Sequence, residues 1–215
     1  TGGSRGIGRA TALGLAAEGC GVAICGRGSD DIDRALVDLR QVSNRAWGQV
    51  ADVTSSADVN SFVDGAVREL GGIDALVCNV GGFSGGETLD ATDEDWMATL
   101  DMNLMHAVRT IRATVPHMKS RDHASIVIVS SISGWKPGPR AQYGAAKAAE
   151  IFLASSLAWD LAADHIRVNT ICPGSIYFAT SGWADYERDD PEGYARFLKN
   201  ELPEGRLGTD FEVAE

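Results

Sequence analysis

TGGSRGIGRATALGLAAEGC, residues 1–20, is a glycine-rich turn that runs directly into a helix-forming segment. We expect Gly2 to permit a tight turn, Gly6 to let the backbone approach a pyrophosphate, and Gly8 to let the helix pack closely on a strand. The N-terminus of such a helix presents unpaired N–H groups and the positive end of the helix dipole. The stretch therefore predicts a phosphate-binding turn followed by a helix at about 6–19.

Beyond this turn, short apolar runs alternate with longer helix-forming segments. Continuous apolar strands that alternate with helices indicate a parallel sheet covered on both faces. The predicted fold class is therefore α/β, a Rossmann-like doubly wound parallel sheet in a single domain over residues 1–215. The predicted strands are 21–26, 46–51, 73–79, 124–131 and 166–172, and the later helices are 30–42, 56–70, 93–120 and 142–164.

Residues that favour helix ends support these boundaries. Gly19, Gly71 and Gly72 fall where helix C-caps are expected, and Thr92 can cap the next helix. No strand precedes the glycine-rich turn, and residues 205–215 resemble the approach to a last helix and strand. We therefore expect a strand before Thr1 and about thirty further residues in the native protein, as a complete fold of this class needs them.

The amino-acid composition argues against nucleic acid, a membrane or a metal ion as binding partners. The formal net charge is −11, so the surface would repel a phosphate backbone and a nucleic-acid partner is not expected. No run reaches the roughly 20 apolar residues of a membrane span. The four cysteines (Cys20, Cys25, Cys78 and Cys172) form no CxxC pair and have no His-rich neighbourhood, which predicts reduced thiols in a cytoplasmic protein and no metal site.

The segment at about 175–205 interrupts the alternation of strands and helices. It is rich in Trp, Tyr, Phe, Asp and Glu and contains no clear strand. An aromatic insertion after a strand is typical of a substrate lid, although a surface excursion of helices has the same pattern. We favour a lid because the segment follows the last predicted strand, at the edge where ligands bind.

The end of the second predicted strand indicates which dinucleotide would bind. A site for NAD is expected to carry an acid here for the ribose hydroxyls, whereas Arg27 can accommodate the 2′-phosphate of NADP. Arg5 can supply a second positive charge. The alternative for Arg27 is a solvated loop residue. Asp52 and Asn79 also follow strands; Asp52 either binds the adenine amino group or caps the next helix.

Tyr143 and Lys147 are four residues apart in a helical segment, so both side chains share one face. A nearby ammonium favours the phenolate, which predicts a Tyr143 pKa below its usual value and a usable acid or base. Ser131 ends a strand and can donate a hydrogen bond to a substrate carbonyl, with Ser130 as the alternative. Asn103 lies among apolar residues, where it either caps the helical ladder or holds a water near Lys147.

These residues together resemble the short-chain dehydrogenase/reductase family, and within it the 3-oxoacyl-ACP reductases. The resemblance covers nearly the whole chain. It implies Tyr143 as catalytic acid/base, Lys147 lowering its pKa and holding the nicotinamide ribose, Ser131 positioning the carbonyl, and Asn103 anchoring a relay water. The cofactor-binding set that it implies is Gly2, Ser4, Arg5, Gly6, Ile7, Gly8, Arg27, Asp52, Val53, Asn79, Val80, Gly81, Tyr143, Lys147, Pro173, Gly174 and Ile176.

The chain departs from the family pattern at three places. Cys78-Asn79-Val80-Gly81 replaces Asn-Asn-Ala-Gly. The interval between Ser131 and Tyr143 is one residue short, so Ser131 is chosen by its distance to Gly134. Ser175 or Thr180 takes the place of a Thr that contacts the nicotinamide amide.

The sequence hypothesis is an NAD(P)(H)-dependent oxidoreductase, with NADP(H) favoured over NAD(H). It would act as a carbonyl reductase or alcohol dehydrogenase on a small-molecule carbonyl or alcohol. The resemblance also implies a homo-oligomer, a dimer or a homotetramer. The rival hypothesis is a non-catalytic dinucleotide-binding or scaffold protein that retains the fold, and the complete set of Tyr, Lys, Ser and Asn argues against it.

Overall fold

The computed structural model describes residues 1–215, with five main strands and nine helices. The strands are β1 (Val22–Gly26), β2 (Ala46–Val50), β3 (Ala75–Cys78), β4 (Ala124–Val129) and β5 (Ile166–Ile171). The helices are α1 (Gly6–Ala17), α2 (Ser29–Val42), α3 (Ser56–Leu70), α4 (Asp93–Leu100), α5 (His106–Met118), α6 (Ala141–Asp160), α7 (Gly182–Asp189), α8 (Pro191–Glu201) and α9 (Asp210–Ala214). All main strand pairs are parallel, which confirms the α/β Rossmann-like fold.

The strands form two parallel sheets, β1–β2 and β3–β4–β5, in agreement with the predicted parallel pairing. The glycine-rich turn contacts both sheets, since Gly3 N–H donates to Cys25 O at 3.1 Å and Thr1 N donates to Val77 O at 2.8 Å. Below the turn, a cavity of about 290 Å³ lies between the sheets, lined by apolar side chains such as Ile24 and Leu76. The turn therefore lies where both sheets present their carboxyl ends.

The predicted helix at 93–120 is interrupted, which the sequence did not indicate. A π-helical segment at 101–105 separates α4 from α5. It coincides with Asn103, whose side-chain amide donates to Thr99 O at 2.7 Å and competes with the regular helical ladder. The predicted helix at 142–164 also ends early, at Asp160, and a 3₁₀ turn follows.

The predicted caps are mostly confirmed. Thr92 caps α4 in a capping box with Asp95, and Gly71 ends α3 in the left-handed conformation with φ 83°. Gly19 follows α1 with φ 86°. Asp52 is not the cap of α3, because the Ser55 side chain accepts the hydrogen bond from the Asp58 N–H instead. These caps fix where helices leave the sheet edge that carries the site.

Three apolar clusters hold the strands in place. The largest packs β3, β4 and β5 against α5 and α6, with Ile126 and Ile128 fully buried. A second joins α1 and α2 to β1, and a third joins α3 to β1 and the residues after β2. Each fully buried Ile or Leu stabilises the fold by about 1.5–3 kcal/mol. Packing thus fixes the carboxyl ends of the strands, where the polar residues lie.

The segment at 175–205 consists of a short strand and two helices. β6 (Ile176–Tyr177) pairs with β7 (Gly208–Thr209), and α7 and α8 follow β6. An aromatic cluster joins the helices, with Trp183 and Phe197 stacked at 4.7 Å between ring centroids. None of the helices combines the length and apolar character required to cross a bilayer.

Candidate active site

A cavity of about 410 Å³ opens at the carboxyl ends of the strands, within the range of small-molecule sites. It brings together residues that are far apart in the chain, from the glycine-rich turn, the end of β3, the end of β4, α6 and the start of the 175–205 segment. The predicted site residues that line it are Gly2, Arg5, Gly6, Ile7, Asn79, Val80, Gly81, Ser131, Tyr143, Lys147, Pro173, Gly174 and Ile176. Ser4, Gly8, Arg27, Asp52, Val53 and Asn103 lie outside its lining.

The glycine-rich turn leaves the N-terminus of α1 available. Gly2 and Gly6 have φ 62° and 51°, a conformation that favours glycine. Arg5 occupies the N-cap position and makes no side-chain capping bond, so the first N–H groups of α1 remain available to an anion. This geometry fits the pyrophosphate of a dinucleotide.

The close packing of the turn involves two glycines. A Cβ on Gly8 would lie 2.2 Å from Gly2 O and 2.5 Å from the Asn79 amide nitrogen, so Gly8 packs against the turn and the residue that follows β3. Gly3 is the residue that approaches strand β1, because its Cβ would lie 2.5 Å from Ile24. The Asn79 amide donates to Thr1 O and Gly2 O at 3.2 and 3.3 Å, which ties the end of β3 to the turn.

The two serines at the end of β4 have different environments. The Ser131 hydroxyl accepts a hydrogen bond from Ser133 N–H at 3.1 Å, and Ser131 lines the cavity together with Tyr143 and lowers the pKa of its phenol. The Ser130 hydroxyl donates to the Lys147 carbonyl at 2.7 Å, and Ser130 is buried. Ser131 therefore faces the phenol, while Ser130 joins β4 to α6.

Tyr143 does not have the lowered pKa that its spacing from Lys147 suggests. Burial raises the pKa of Tyr143 above its usual value, the hydrogen bond from Ser131 lowers it, and the carboxylate of Glu150 raises it further. Lys147 Nζ lies 5.7 Å from the centroid of the Tyr143 ring. The expected lowering by Lys147 is wrong for this structure, because burial has the largest effect on the pKa of Tyr143; the ammonium also has a closer partner.

That partner is Glu150, one helical turn further along α6. Lys147 Nζ donates to both carboxylate oxygens of Glu150 at 3.0 and 3.2 Å and to Val129 O at 3.0 Å. Both side chains are about 1% exposed. Burial lowers the pKa of Lys147 and Glu150 opposes that effect, while burial raises the pKa of Glu150 and Lys147 opposes it.

Asn103 binds backbone on both sides of the π-helical segment. Its amide group donates to Gly82 O and Thr99 O at 2.7 Å, and its Oδ1 accepts from Gly82 N–H at 3.2 Å. These contacts hold the loop after β3 against α4, which agrees with the local-capping alternative. Its role as anchor of a relay water stays a prediction.

Two charged side chains flank the expected adenosine end of the cavity. Arg27 follows β1, is exposed and belongs to no ion pair within 4 Å. Asp52 Oδ1 accepts from Thr54 N–H at 2.9 Å, and this bond, with a lesser effect of Arg27, lowers the pKa of Asp52. Val53 is buried in the core, so only its backbone can contact a ligand.

Three candidate functional residues were not predicted from the sequence. Glu150 had a visible signal, a lone acid within the apolar stretch AAEIFL that follows Lys147. His106 is buried, its Nδ1 lies 3.1 Å from Asn103 O and its Nε2 lies 2.8 Å from Thr1 Oγ1. Burial lowers the pKa of His106 to about 3, so the ring is neutral and its Nδ1–H donates to the carbonyl. Phe178 lies directly over Gly6, where a Cβ would meet its ring at 2.8 Å.

Parallel strands, an uncapped helix N-terminus at a glycine-rich turn and a Tyr, Lys and Ser set in one cavity define a dinucleotide-binding α/β protein of the dehydrogenase class. The model of the short-chain dehydrogenase family matches residues 1–190. The chain belongs to this family, and it is an oxidoreductase of the kind that acts on CH–OH and C=O groups.

Individual relatives support the same assignment. Human dehydrogenase/reductase SDR family member 4 is 37% identical over 208 residues, covering 94% of this chain and 72% of that protein. An NADPH-bound short-chain oxidoreductase from Pseudomonas aeruginosa PAO1 with an atypical catalytic center has a TM-score of 0.91 and 33% identity, covering 99% of this chain and 84% of that one. An NAD⁺-bound xylitol dehydrogenase also has a TM-score of 0.91, with 30% identity, covering 99% of this chain and 86% of that one.

Proposed function

We propose that this protein is an NADP(H)-dependent carbonyl reductase or alcohol dehydrogenase in which Tyr143 is the general acid/base. The observation that carries the proposal is the shared cavity, in which Tyr143 and Ser131 face the same space as the uncapped N-terminus of α1. A proton donor and a dinucleotide-binding turn on one cavity are what hydride transfer to a carbonyl requires.

The residues around the cavity fit a nicotinamide dinucleotide. The α1 N-terminus and Gly6 would hold the pyrophosphate, Asn79 to Gly81 would border the ribose, and Pro173, Gly174 and Ile176 would border the nicotinamide. The Lys147 ammonium lines the cavity, and it would bind a ribose hydroxyl by exchanging one of its three present contacts with Glu150 and Val129. When bound, the cofactor supplies or accepts the hydride at the carbon of the substrate.

The chain itself supplies the proton and the orientation. In the reductive direction the Tyr143 hydroxyl gives its proton to the carbonyl oxygen as the carbon gains a hydride, so the products are the alcohol and a phenolate. The Ser131 hydroxyl donates to the same oxygen and stabilises its developing charge. Burial raises the pKa of Tyr143, so the phenol is protonated near neutral pH, which is the form that reduction requires.

The preference for NADP(H) rests on Arg5 and Arg27. Both side chains are exposed and belong to no ion pair; Arg5 lies in the turn that would hold the pyrophosphate, and Arg27 directly follows β1. The chain carries no acid at the end of β1 to bind the ribose hydroxyls of NAD. The four free thiols support a reducing compartment such as the cytoplasm.

An NADPH-oxidation screen tests the proposed reaction. The carbonyl panel includes 3-oxoacyl thioesters, steroids, quinones and sugars, and the thioesters test the 3-oxoacyl reductase resemblance directly. We expect turnover with at least one class. NADPH binding without turnover across the whole panel would favour the rival hypothesis of a non-catalytic dinucleotide-binding or scaffold protein.

The two neighbouring serines are expected to respond differently to alanine. Because Ser131 contacts Tyr143, Ser131→Ala should lower kcat/KM by about a hundredfold, as the loss of an oxyanion donor does. Ser130→Ala removes the bond to Lys147 O and should cost about 1 kcal/mol of stability with a much smaller effect on kcat/KM. Steady-state kinetics and denaturant unfolding of both variants measure this difference. A larger kinetic loss in Ser130→Ala would reverse the assignment.

We also propose a homo-oligomer, a dimer or tetramer, assembled through α6. Phe152 and Trp159 are 75% and 86% exposed and lie seven residues apart, on one face of this helix. Exposed large aromatics on one face are typical of protein interfaces. Light scattering should therefore show an oligomer that Trp159→Glu dissociates, while the equally exposed Leu89→Glu leaves it intact. A monomeric wild type would contradict the proposal.

A further inference from the structure

A buried histidine at the start of α5 connects the glycine-rich turn to the π-helical segment, and the proposed reaction does not use it. We propose that His106 is a positioning residue, which holds the loop at residues 79–82 in the place where it borders a bound dinucleotide. The inference rests on the proposed function, because the position of this loop affects catalysis only if the cavity binds a dinucleotide.

This loop is hydrogen-bonded at both of its ends. At its beginning, the N–H groups of Asn79 and Val80 donate to the Thr1 hydroxyl oxygen at 3.0 and 3.4 Å. At its end, the Asn103 amide donates to Gly82 O at 2.7 Å, and its Oδ1 accepts from Gly82 N–H at 3.2 Å. Thr1 and Asn103 therefore determine together where the loop lies.

His106 is the side chain that joins these two residues. Its Nε2 lies 2.8 Å from Thr1 Oγ1, and its Nδ1 lies 3.1 Å from Asn103 O. A carbonyl oxygen can only accept, so the neutral ring carries its proton on Nδ1, and Nε2 accepts from the Thr1 hydroxyl. The oxygen of that hydroxyl is then free to accept from Asn79 N–H. The competing acceptor for the hydroxyl, Val77 O, is more distant, at 3.4 Å.

Both bonds of the ring are shielded from solvent. His106 and Asn103 are 1% and 0% exposed, so water does not replace a bond that is lost. Removal of the ring would leave the Thr1 hydroxyl without its nearest acceptor, and a buried polar group without a partner is unfavourable. The hydroxyl could regain a good bond only by moving, and the start of the loop would move with it.

The middle of the loop lies against the lysine of the site. A Cβ on Gly81 would lie 2.9 Å from Lys147 Nζ and 3.0 Å from Asn103 Oδ1, so the backbone is in close contact with both groups. The loop also lines the cavity, on the side proposed for the ribose. A shift of the loop would therefore change the space for the ribose and its distance from the ammonium. His106 positions this wall without contacting the dinucleotide.

Three substitutions at His106 separate its two bonds. His106→Asn keeps a donor near the position of Nδ1 and removes the acceptor for Thr1, His106→Gln keeps an acceptor near the position of Nε2, and His106→Phe removes both. We expect His106→Phe to raise the dissociation constant of NADPH about tenfold, in the range of one or two neutral hydrogen bonds, and the other variants to raise it less. Calorimetric titration measures these constants, with the exposed His123→Asn as the control.

A merely structural role would lower the stability of these variants and leave the NADPH affinity of the folded proteins unchanged. The dependence on Thr1 is tested by combining His106→Asn with Thr1→Val. Because His106→Asn acts through the bond to Thr1, it should weaken NADPH binding in the parent and have almost no further effect in Thr1→Val. Equal fold-changes in the two backgrounds would overturn the inference.

A measurement on the parent protein covers the case in which the His106 variants do not fold. The protein has four histidines, and His106 is recognised by nitrogen NMR as the ring that stays neutral in mildly acidic solution. We expect its proton on Nδ1 and an Nε2 signal that shifts when NADPH is added, because Thr1 belongs to the turn proposed for the pyrophosphate. A proton on Nε2, or an Nε2 signal that bound NADPH leaves unchanged, would overturn the inference.

The inference and the proposed function can fail separately. If His106→Asn binds NADPH as tightly as the parent while the parent reduces a carbonyl compound, the inference is wrong and the proposed function stands. If the parent binds NADPH and reduces no carbonyl compound, the proposed function is wrong, and the dissociation constants still test the role of His106.

Discussion

Tyr143→Phe should reduce kcat/KM for carbonyl reduction by at least about a hundredfold, the usual contribution of a positioned general acid. The phenyl ring retains the contact with Phe83, whose ring is 6.4 Å away, so the cavity keeps its shape. Only the hydroxyl group, with its proton and its interaction with Ser131, is lost. NADPH affinity, measured by fluorescence titration, should therefore change little. A stopped-flow assay of NADPH oxidation measures the kinetic loss.

The Tyr143→Phe result has a matched control in Tyr186→Phe. Tyr186 lies in α7, where it packs against Tyr194, and it makes no side-chain hydrogen bond with the Ser131 and Tyr143 pair. Its hydroxyl can be removed without touching the proposed proton donor. Equal activity losses in the two variants would mean that the effect is general and that Tyr143 is not the acid.

Arg27→Asp should weaken NADPH binding by about a hundredfold while changing NADH binding by only about threefold or less. A charge-assisted bond to a phosphate contributes roughly 1.5–3 kcal/mol, and the new carboxylate would also repel the 2′-phosphate. NADH lacks that phosphate, and an acid at this position can bind its ribose hydroxyls. Calorimetric titration with both dinucleotides measures the ratio of the two dissociation constants.

The control for Arg27→Asp is Arg40→Asp, in the last turn of α2. Arg40 is exposed and is not among the residues that line the cavity, so it reproduces the change in net charge alone. We expect both dinucleotides to bind this variant nearly as they bind the wild type. Equal losses of NADPH and NADH affinity in Arg27→Asp would remove the argument for the 2′-phosphate.

Much of the fold was predictable because its signals are local. Continuous apolar runs identified β1 to β5 to within two residues, and Thr92 and Gly71 marked helix ends by their capping chemistry. The π-helical segment was missed, because it depends on contacts of Asn103 with a distant loop.

The features of the candidate site also fall into local ones, which the sequence predicts, and ones that depend on distant contacts. The spacing of Tyr143 and Lys147 places both on one face of α6, and that relation is a local property of the helix. The pKa of Tyr143 is not local, since it results from burial, Ser131 and Glu150 together. The spacing of Tyr143 and Lys147, taken alone, predicts a lowered pKa of Tyr143, whereas burial raises it. Glu150 was visible as an acid in an apolar stretch, but its contact with Lys147 required the structure.

The most direct test of the account follows the hydride and the proton donor in one experiment. NADPH labelled with deuterium at the reactive carbon is supplied with a carbonyl compound that the protein reduces, and the alcohol is examined by mass spectrometry. We expect one deuterium on the carbinol carbon with the wild type and almost no labelled alcohol with Tyr143→Phe. Unlabelled alcohol from the wild type, or equal labelling by the two proteins, would contradict Tyr143-dependent hydride transfer.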